Sequence, residues 1–266
     1  MSETLTRTLS GIVYILILVT ASLYLNSFLL LFGIFLLIAV SEFCDLVQLK
    51  KMLPLFIAAG GYFLFSYFDM STDAEALLLA ATIFVSVKCI LYLFNHQKKN
   101  LDMLSKYVYL IGYVILPIIL ITKIPRVDND FNPKIIISIF ILIWANDTFA
   151  FIVGKTIGKR KLFERISPKK TIEGFIGGLV FAMLFSILIA NYFIHQPIGN
   201  WLIISLILSF FGTIGDLIES KFKRMANVKD SGKIMPGHGG ILDRLDSIIF
   251  AAPFVFLFYQ ILNYVS

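Results

Sequence analysis

The residues with the most chemical potential lie between Gly215 and Asp246. Asp216 falls near the end of one apolar run, and Asp243 and Asp246 open the next. Three residues apart at the start of a helix, Asp243 and Asp246 share a face, with Cβ atoms about 5–6 Å apart. Like charges that close repel unless a cation lies between them. Asp216 can face them across the loop, and three carboxylates on converging helix ends make a hard oxygen site suited to magnesium. Helix capping is the bland alternative, since acids in a first turn complement the helix dipole. That accounts for Asp243 taken alone, but poorly for the three together.

The segment between these acids is rich in cations and small residues. Gly237-His238-Gly239-Gly240 precedes a helix start and can present successive backbone N–H groups to an anion, because glycine lets the main chain come close. His238 has two readings: a partner for phosphate or for a proton in transfer, or a purely structural histidine. Upstream, Ser167-Pro168-Lys169-Lys170-Thr171-Ile172-Glu173-Gly174 leads into another apolar run. Proline suits the first turn of a helix, yet two lysines there oppose the positive end of the dipole. A bound phosphate would reverse that penalty, with Lys169 and Lys170 adding point charges to the backbone donors. Snorkelling anchors at the membrane interface are the alternative.

A third element, Trp144-Ala145-Asn146-Asp147-Thr148, puts an aspartate inside an apolar run, at a cost on the order of 2.5–3.5 kcal/mol on insertion scales. Such a residue needs a partner or a task. At 1.5 Å per residue Asp147 lies about 10 Å below Gly154, within reach of a polar cavity opening at that end. Lys88, in the middle of a different run, is either an ion partner in the same interior or a snorkelling lysine.

What must position these residues is a bundle of helices in lipid. Of the 266 residues 58% are hydrophobic and only 15% charged, against roughly 25% charged in soluble domains; the mean hydropathy is +0.87. An ordinary soluble domain is excluded. About 20 helical residues cross a hydrocarbon core of about 30 Å, and about nine apolar runs recur, over 9–24, 28–43, 53–68, 76–94, 107–121, 135–153, 174–195, 201–220 and 242–264. The expected fold class is all-α, a polytopic integral membrane helical bundle. A cleaved signal peptide is the lesser reading of the first run, which no convincing small-residue cleavage site follows. Cys44 and Cys89 have no metal-ligand spacing and read as packing residues. No repeat or linker divides the chain, so a single membrane domain is expected over 1–266, with a helical scaffold over 1–130 and the motif-bearing region over 131–266.

Nine spans put the termini on opposite sides, and basic residues in the short loops choose the orientation. Of the 23 lysines and arginines, all but Lys88, Lys123, Arg126 and Lys134 fall on one side, Arg7, Lys98 and Lys99 among them. That side is the cytosolic one, as is the amino terminus. The formal charge of +6, concentrated there, attracts anionic headgroups and nucleotide phosphates.

The run over 220–246 resembles the signature of the phosphatidate cytidylyltransferase, or CDP-diacylglycerol synthase, family. Ser220, Lys223-Arg224, Lys229-Asp230, His238-Gly239-Gly240, Asp243-Arg244 and Asp246 all stand at that signature's spacing. The stretches over 167–174 and 146–148 are similar to two further family motifs, while the first 130 residues resemble the family only in hydropathy. Phe151 departs from the pattern, standing where tyrosine is expected.

The resemblance implies transfer of a cytidylyl group from CTP to phosphatidate, giving CDP-diacylglycerol and pyrophosphate for phospholipid biosynthesis, with Mg2+ required and a second cation such as K+ left open. Metal binding would then fall to Asp216 and Asp243, with Asp246 as a ligand or the partner of one. Lys223, Arg224 and Arg244 would hold phosphates, the loop at His238, Gly239 and Gly240 would cradle part of the triphosphate, and Lys169 and Lys170 would meet the lipid phosphate or pyrophosphate. Ser220, Lys229, Asp230 and Asp147 complete the substrate-binding set. The partners implied are CTP, phosphatidate, the bilayer and a second copy of the chain in a homodimer, without nucleic acid. The location implied is a bacterial plasma membrane with the site facing the cytosol. A different membrane lipid kinase or phosphotransferase would use similar physics, and an ion-coupled transporter would instead pair Asp147 with Lys88.

Overall fold

A computed structural model describes residues 3–68, 70–95, 101–127 and 130–265. Lipid offers no hydrogen bonds to the main chain, so apolar runs of this length must close their backbone bonds internally as helices. Among the described residues ten helices follow in order: α1 (Glu3–Ala21), α2 (Leu25–Val47), α3 (Met52–Tyr67), α4 (Thr72–Phe94), α5 (Met103–Tyr109), α6 (Leu116–Lys123), α7 (Pro133–Ile157), α8 (Ile172–Leu188), α9 (Ile198–Met225) and α10 (Leu242–Val265). A π-helical stretch, Leu110–Ile115, joins α5 to α6 into one crossing, and another, Ile189–Ile194, extends α8.

Seven of these crossings are long and apolar enough to span a membrane, and two shorter apolar helices cover Leu5–Ala21 and Met52–Tyr67. Each of the nine expected runs therefore coincides with a helix. Lys98 and Lys99, placed above on the basic side, lie outside the described residues.

Starts are marked by the expected side chains. Ser71 accepts from Ala74 N–H ahead of Asp73 and Glu75, and Asn132 accepts from Lys134 N–H ahead of Pro133, each satisfying a donor that the helix cannot. The lysines of the 167–174 stretch are placed differently from the expectation. They lie in a strand, β4 (Ser167–Thr171), paired antiparallel with β3 (Lys161–Phe163). Thr171 is the cap of α8, accepting from Gly174 N–H at 3.1 Å. Thr171 is a better cap than Ser167 because it is followed at once by the apolar run. The lysines thus precede the helix and do not occupy its first turn. A second short hairpin joins β1 (Arg126–Val127) to β2 (Asp130–Phe131).

The core is aromatic beneath the polar end. Phe222 on α9 is fully buried, with ring centroids 5.1 Å from Phe43, 5.2 Å from Tyr92 and 5.6 Å from Tyr109. Two glycines bring helix backbones together near the polar end. A Cβ on Gly178 would lie 2.6 Å from the Asn146 carbonyl oxygen, locking α8 against α7, and one on Gly215 would lie 2.5 Å from the Asp246 carbonyl oxygen, locking α9 against α10. The second contact sets Asp216 beside Asp246.

Charged groups separate by end. At one end, Lys221 reaches the carbonyls of Tyr92 and Asn95 at the close of α4, Arg165 reaches those of Leu93 and Asn95, and Lys170 pairs with Asp216. At the other, Lys123 pairs with Glu75 at 2.8 Å and Arg126 donates to Ser66 O. This is the asymmetry expected from the sequence.

Candidate active site

The site is built from α7, α9, α10, strand β4 and the loop that enters α10. Asp216 and Glu219 sit one turn apart on α9, and Asp246 faces them from α10; one carboxylate oxygen from each lies within 4.8 Å of the others. Glu219 is fully buried, and its Oε1 has no hydrogen-bond partner among the described residues. Hard, anionic oxygens crowded together with an unsatisfied acceptor are the donor set that a small divalent ion requires. These side chains therefore fit magnesium chemistry.

Two lysines hold the cluster together. Lys170 pairs with Asp216, and Lys223 bridges Glu219 and Asp243, the latter at 2.6 Å. Burial works against the Lys170 charge, but Asp216, then Asp147 and Asp246, more than offset it and raise its pKa, so the ammonium stays charged. Ser220 Oγ donates to Asp216 Oδ1 at 3.2 Å.

Asp243 lies beside this group with both oxygens engaged. Oδ1 meets Lys223, and Oδ2 accepts from Ser231 N at 2.8 Å, Ser231 Oγ at 2.9 Å and Gly240 N at 2.7 Å. The glycine loop thus closes on a carboxylate of its own chain, while His238 N donates to Met235 O.

Two cavities meet at these acids. The larger, about 600 Å³, is walled by Asp147, Lys169, Lys170, Asp216, Arg244 and Asp246 among others; the smaller, about 210 Å³, lies toward Tyr14, Phe140 and Trp144 on α1 and α7 and shares Asp147, Asp243, Arg244 and Asp246. Asp147 therefore does open into a polar cavity, and Asn146 Nδ2 donates to it at 3.3 Å. Lys88 does not join it: exposed on the outer face of α4, it lies with its ammonium over the Phe84 ring at 5.7 Å. A deep Asp147–Lys88 couple, the core of the transporter reading, is not formed.

His238 reaches back to α1, its Nδ1 2.7 Å from Ser10 Oγ. Burial, then Arg244 and Arg7, lower its pKa from 6.5. Other expected residues stand apart from the cavities. Arg224 is exposed and donates to Val228 O at the end of α9, Lys229 and Asp230 are exposed on the loop, and Gly239 and Gly240 shape the loop. Phe151 lines the larger cavity with most of its ring exposed.

Two acids escaped the sequence reading. Glu219 follows Asp216 by three residues in the same apolar run, and Glu42 closes the run over 28–43. Both carry the signal that singled out Asp147, an ionisable group inside a lipid-length segment.

An acid cluster that fits a divalent ion, faced by lysines, opens onto a polar cavity at one end of a helical membrane bundle. The family model for the Cytidylyltransferase family matches residues 5–262, and the chain belongs to that family. It is similar to proteins named phosphatidate cytidylyltransferase from Staphylococcus saprophyticus (52% identical over 120 residues) and Staphylococcus aureus strain COL (53% over 120), each match covering 44% of this chain and 46% of the relative. The protein of that name from Staphylococcus epidermidis is 48% identical over 121 residues, or 45% and 46% of the two chains. These matches thus span about half the length of the curated relatives, whereas the family match covers nearly the whole chain.

Proposed function

We propose that this protein transfers a cytidylyl group from CTP to phosphatidate at the cytosolic face of a bacterial plasma membrane. The observation that carries the reading is the convergence of Asp216, Glu219 and Asp246, with Asp216, Asp246 and Lys170 on the wall of a cavity of about 600 Å³. A phosphate oxygen of phosphatidate attacks the α-phosphorus of CTP, the bond from that phosphorus to the bridging oxygen breaks, and pyrophosphate leaves with the bond's electrons. The attacking oxygen is already an anion, so no strong base is needed, and the barrier is the repulsion between two polyanions.

The chain's residues lower that barrier by position and charge. Asp216, Glu219 and Asp246 would hold Mg2+, with Asp243 beside them through Lys223. The bound ion supplies Lewis-acid neutralisation of phosphate oxygens. Lys170, lodged against Asp216 on the cavity wall, would turn toward the triphosphate, Lys223 would hold Glu219 and Asp243 in place, and Arg244 and Lys169 add charge along the wall. The smaller cavity, with its aromatic lining, borders Asp243 and Asp246 and would accommodate the glycerol end of the lipid. The resemblance adds a homodimer, checked by light scattering in detergent.

Purified protein in detergent, given CTP, Mg2+ and phosphatidate, is expected to release pyrophosphate in step with a lipid-linked cytidine. Pyrophosphate without labelled lipid, or uptake into sealed vesicles without nucleotide chemistry, would refute the reading.

A further inference from the structure

The helix that carries Asp243 and Asp246 begins without a cap of its own. The residues before Leu242 are Gly240 and Ile241, and neither side chain can accept a hydrogen bond from the first amides. Those amides are met from far away in sequence. Glu42, on α2 and only 5% exposed, accepts from Ile241 N at 3.1 Å through Oε1 and from Leu242 N at 2.8 Å through Oε2. Ser231 Oγ lies 3.1 Å from Glu42 Oε2 and 2.9 Å from Asp243 Oδ2, so one hydroxyl joins the two carboxylates. A Cβ on Gly240 would collide with both Glu42 oxygens and with Ser231 Oγ, so the loop seats on this carboxylate only because residue 240 is glycine.

We propose that Glu42 is a positioning residue for the metal-binding acids. An anion at a helix amino terminus is favoured by the dipole and by charge-assisted bonds from its free N–H groups. Here the anion is supplied by another helix, so it fixes where α10 starts and how it is rotated. That rotation sets Asp243 toward Lys223 and Asp246 toward Asp216 and Glu219. Asp243 is engaged by Ser231, Gly240 and Lys223, so meeting the first amides of α10 with a carboxylate from outside leaves Asp246 available to a cation. The role rests on the proposed reaction only through the identity of the metal site.

The test is Glu42→Gln in purified, detergent-solubilised protein. The amide keeps one acceptor but turns an NH2 toward a backbone donor. The expected result is a folded protein whose half-saturating Mg2+ rises at least about fivefold, in turnover and equally in Mg2+-dependent thermal stabilisation without CTP. kcat falls at least about tenfold, while KM for CTP changes less than about twofold. Glu42→Asp, which keeps the charge, recovers part of the loss. An unchanged Mg2+ midpoint in folded Glu42→Gln overturns the proposal. If that variant does not fold, Ser231→Ala and Glu42→Asp decide it: a raised Mg2+ midpoint in both supports the role, and wild-type midpoints overturn it. Wild-type protein that shows Mg2+-dependent stabilisation but no cytidylyl transfer would refute the reaction while leaving this inference standing.

Discussion

Asp246→Asn isolates the electrostatics of the site, because it removes one charge at almost constant shape. In the native cluster three carboxylate oxygens lie within 4.8 Å of one another. At an effective dielectric of about 20, each pair at that distance repels by about 3.5 kcal/mol, before Lys170 and Lys223 offset part of it. The substitution removes two of the three repulsions. Metal-free Asp246→Asn should therefore unfold at the same temperature as wild type or higher, although a conserved shape has lost a charge. With Mg2+ at about 100 times its Kd, the wild type should gain about 2.7 kcal/mol, or about 5–10 °C if a protein of this size responds as soluble ones do. The variant should lose most of that gain, and turnover should fall on the order of 100-fold. A melting series against Mg2+ in detergent, with pyrophosphate release measured in parallel, reads both quantities. A variant that melts lower without metal and keeps the wild-type Mg2+ shift would show that these carboxylates are structural and do not form an ion site.

Three further outcomes follow from the same geometry. Lys170→Met should abolish most turnover, by about 100-fold or more, with Lys170→Arg recovering little because a planar fork does not replace a point charge. Lys169→Met, on the exposed face of β4, should cost under about tenfold in the same pyrophosphate assay. His238 should contribute a pH-dependent stability. Its folded pKa lies below its ordinary 6.5, so below that pH the unfolded chain binds more protons and stability falls as pH drops through 6.5. Melts of His238→Gln between about pH 5 and 7 should show a flatter slope than wild type, and an unchanged slope would refute it.

How much of this was legible in the sequence depended on the range of the forces involved. Lipid imposes one demand on every segment, that the backbone close its own hydrogen bonds, and hydropathy alone therefore reveals the crossings. The asymmetry of charge was legible for a similar reason, since Arg7, Lys170 and Lys221 need only lie in loops or helix ends of one parity. The local start of α8 was not. Proline and two lysines were compatible with a first turn, and only the pairing of β4 with β3 decides that Thr171 begins the helix. Membership of the acid cluster was likewise hidden. Spacing puts Asp243 and Asp246 on one face, but which of them meets Asp216 depends on the rotation of α10, and that is set by Gly215 against Asp246 and by Glu42 across 200 residues of sequence.

The charge balance of the cavity carries the functional reading further than any single contact. A pocket built for phosphates would be expected to present cations, and Lys169, Lys170 and Arg244 do so on its wall. Yet the same wall holds Asp147, Asp216 and Asp246, with Glu219 fully buried behind them. Acids in these numbers would repel a triphosphate and a lipid phosphate alike, and each carries a desolvation cost in a membrane protein. A cation of higher charge than lysine between them and the proposed substrates would account for their presence. Under the proposed function Lys170 would have two partners rather than one, Asp216 when the cavity is empty and a phosphate when it is filled, with the substrates' negative charge as the force that exchanges them.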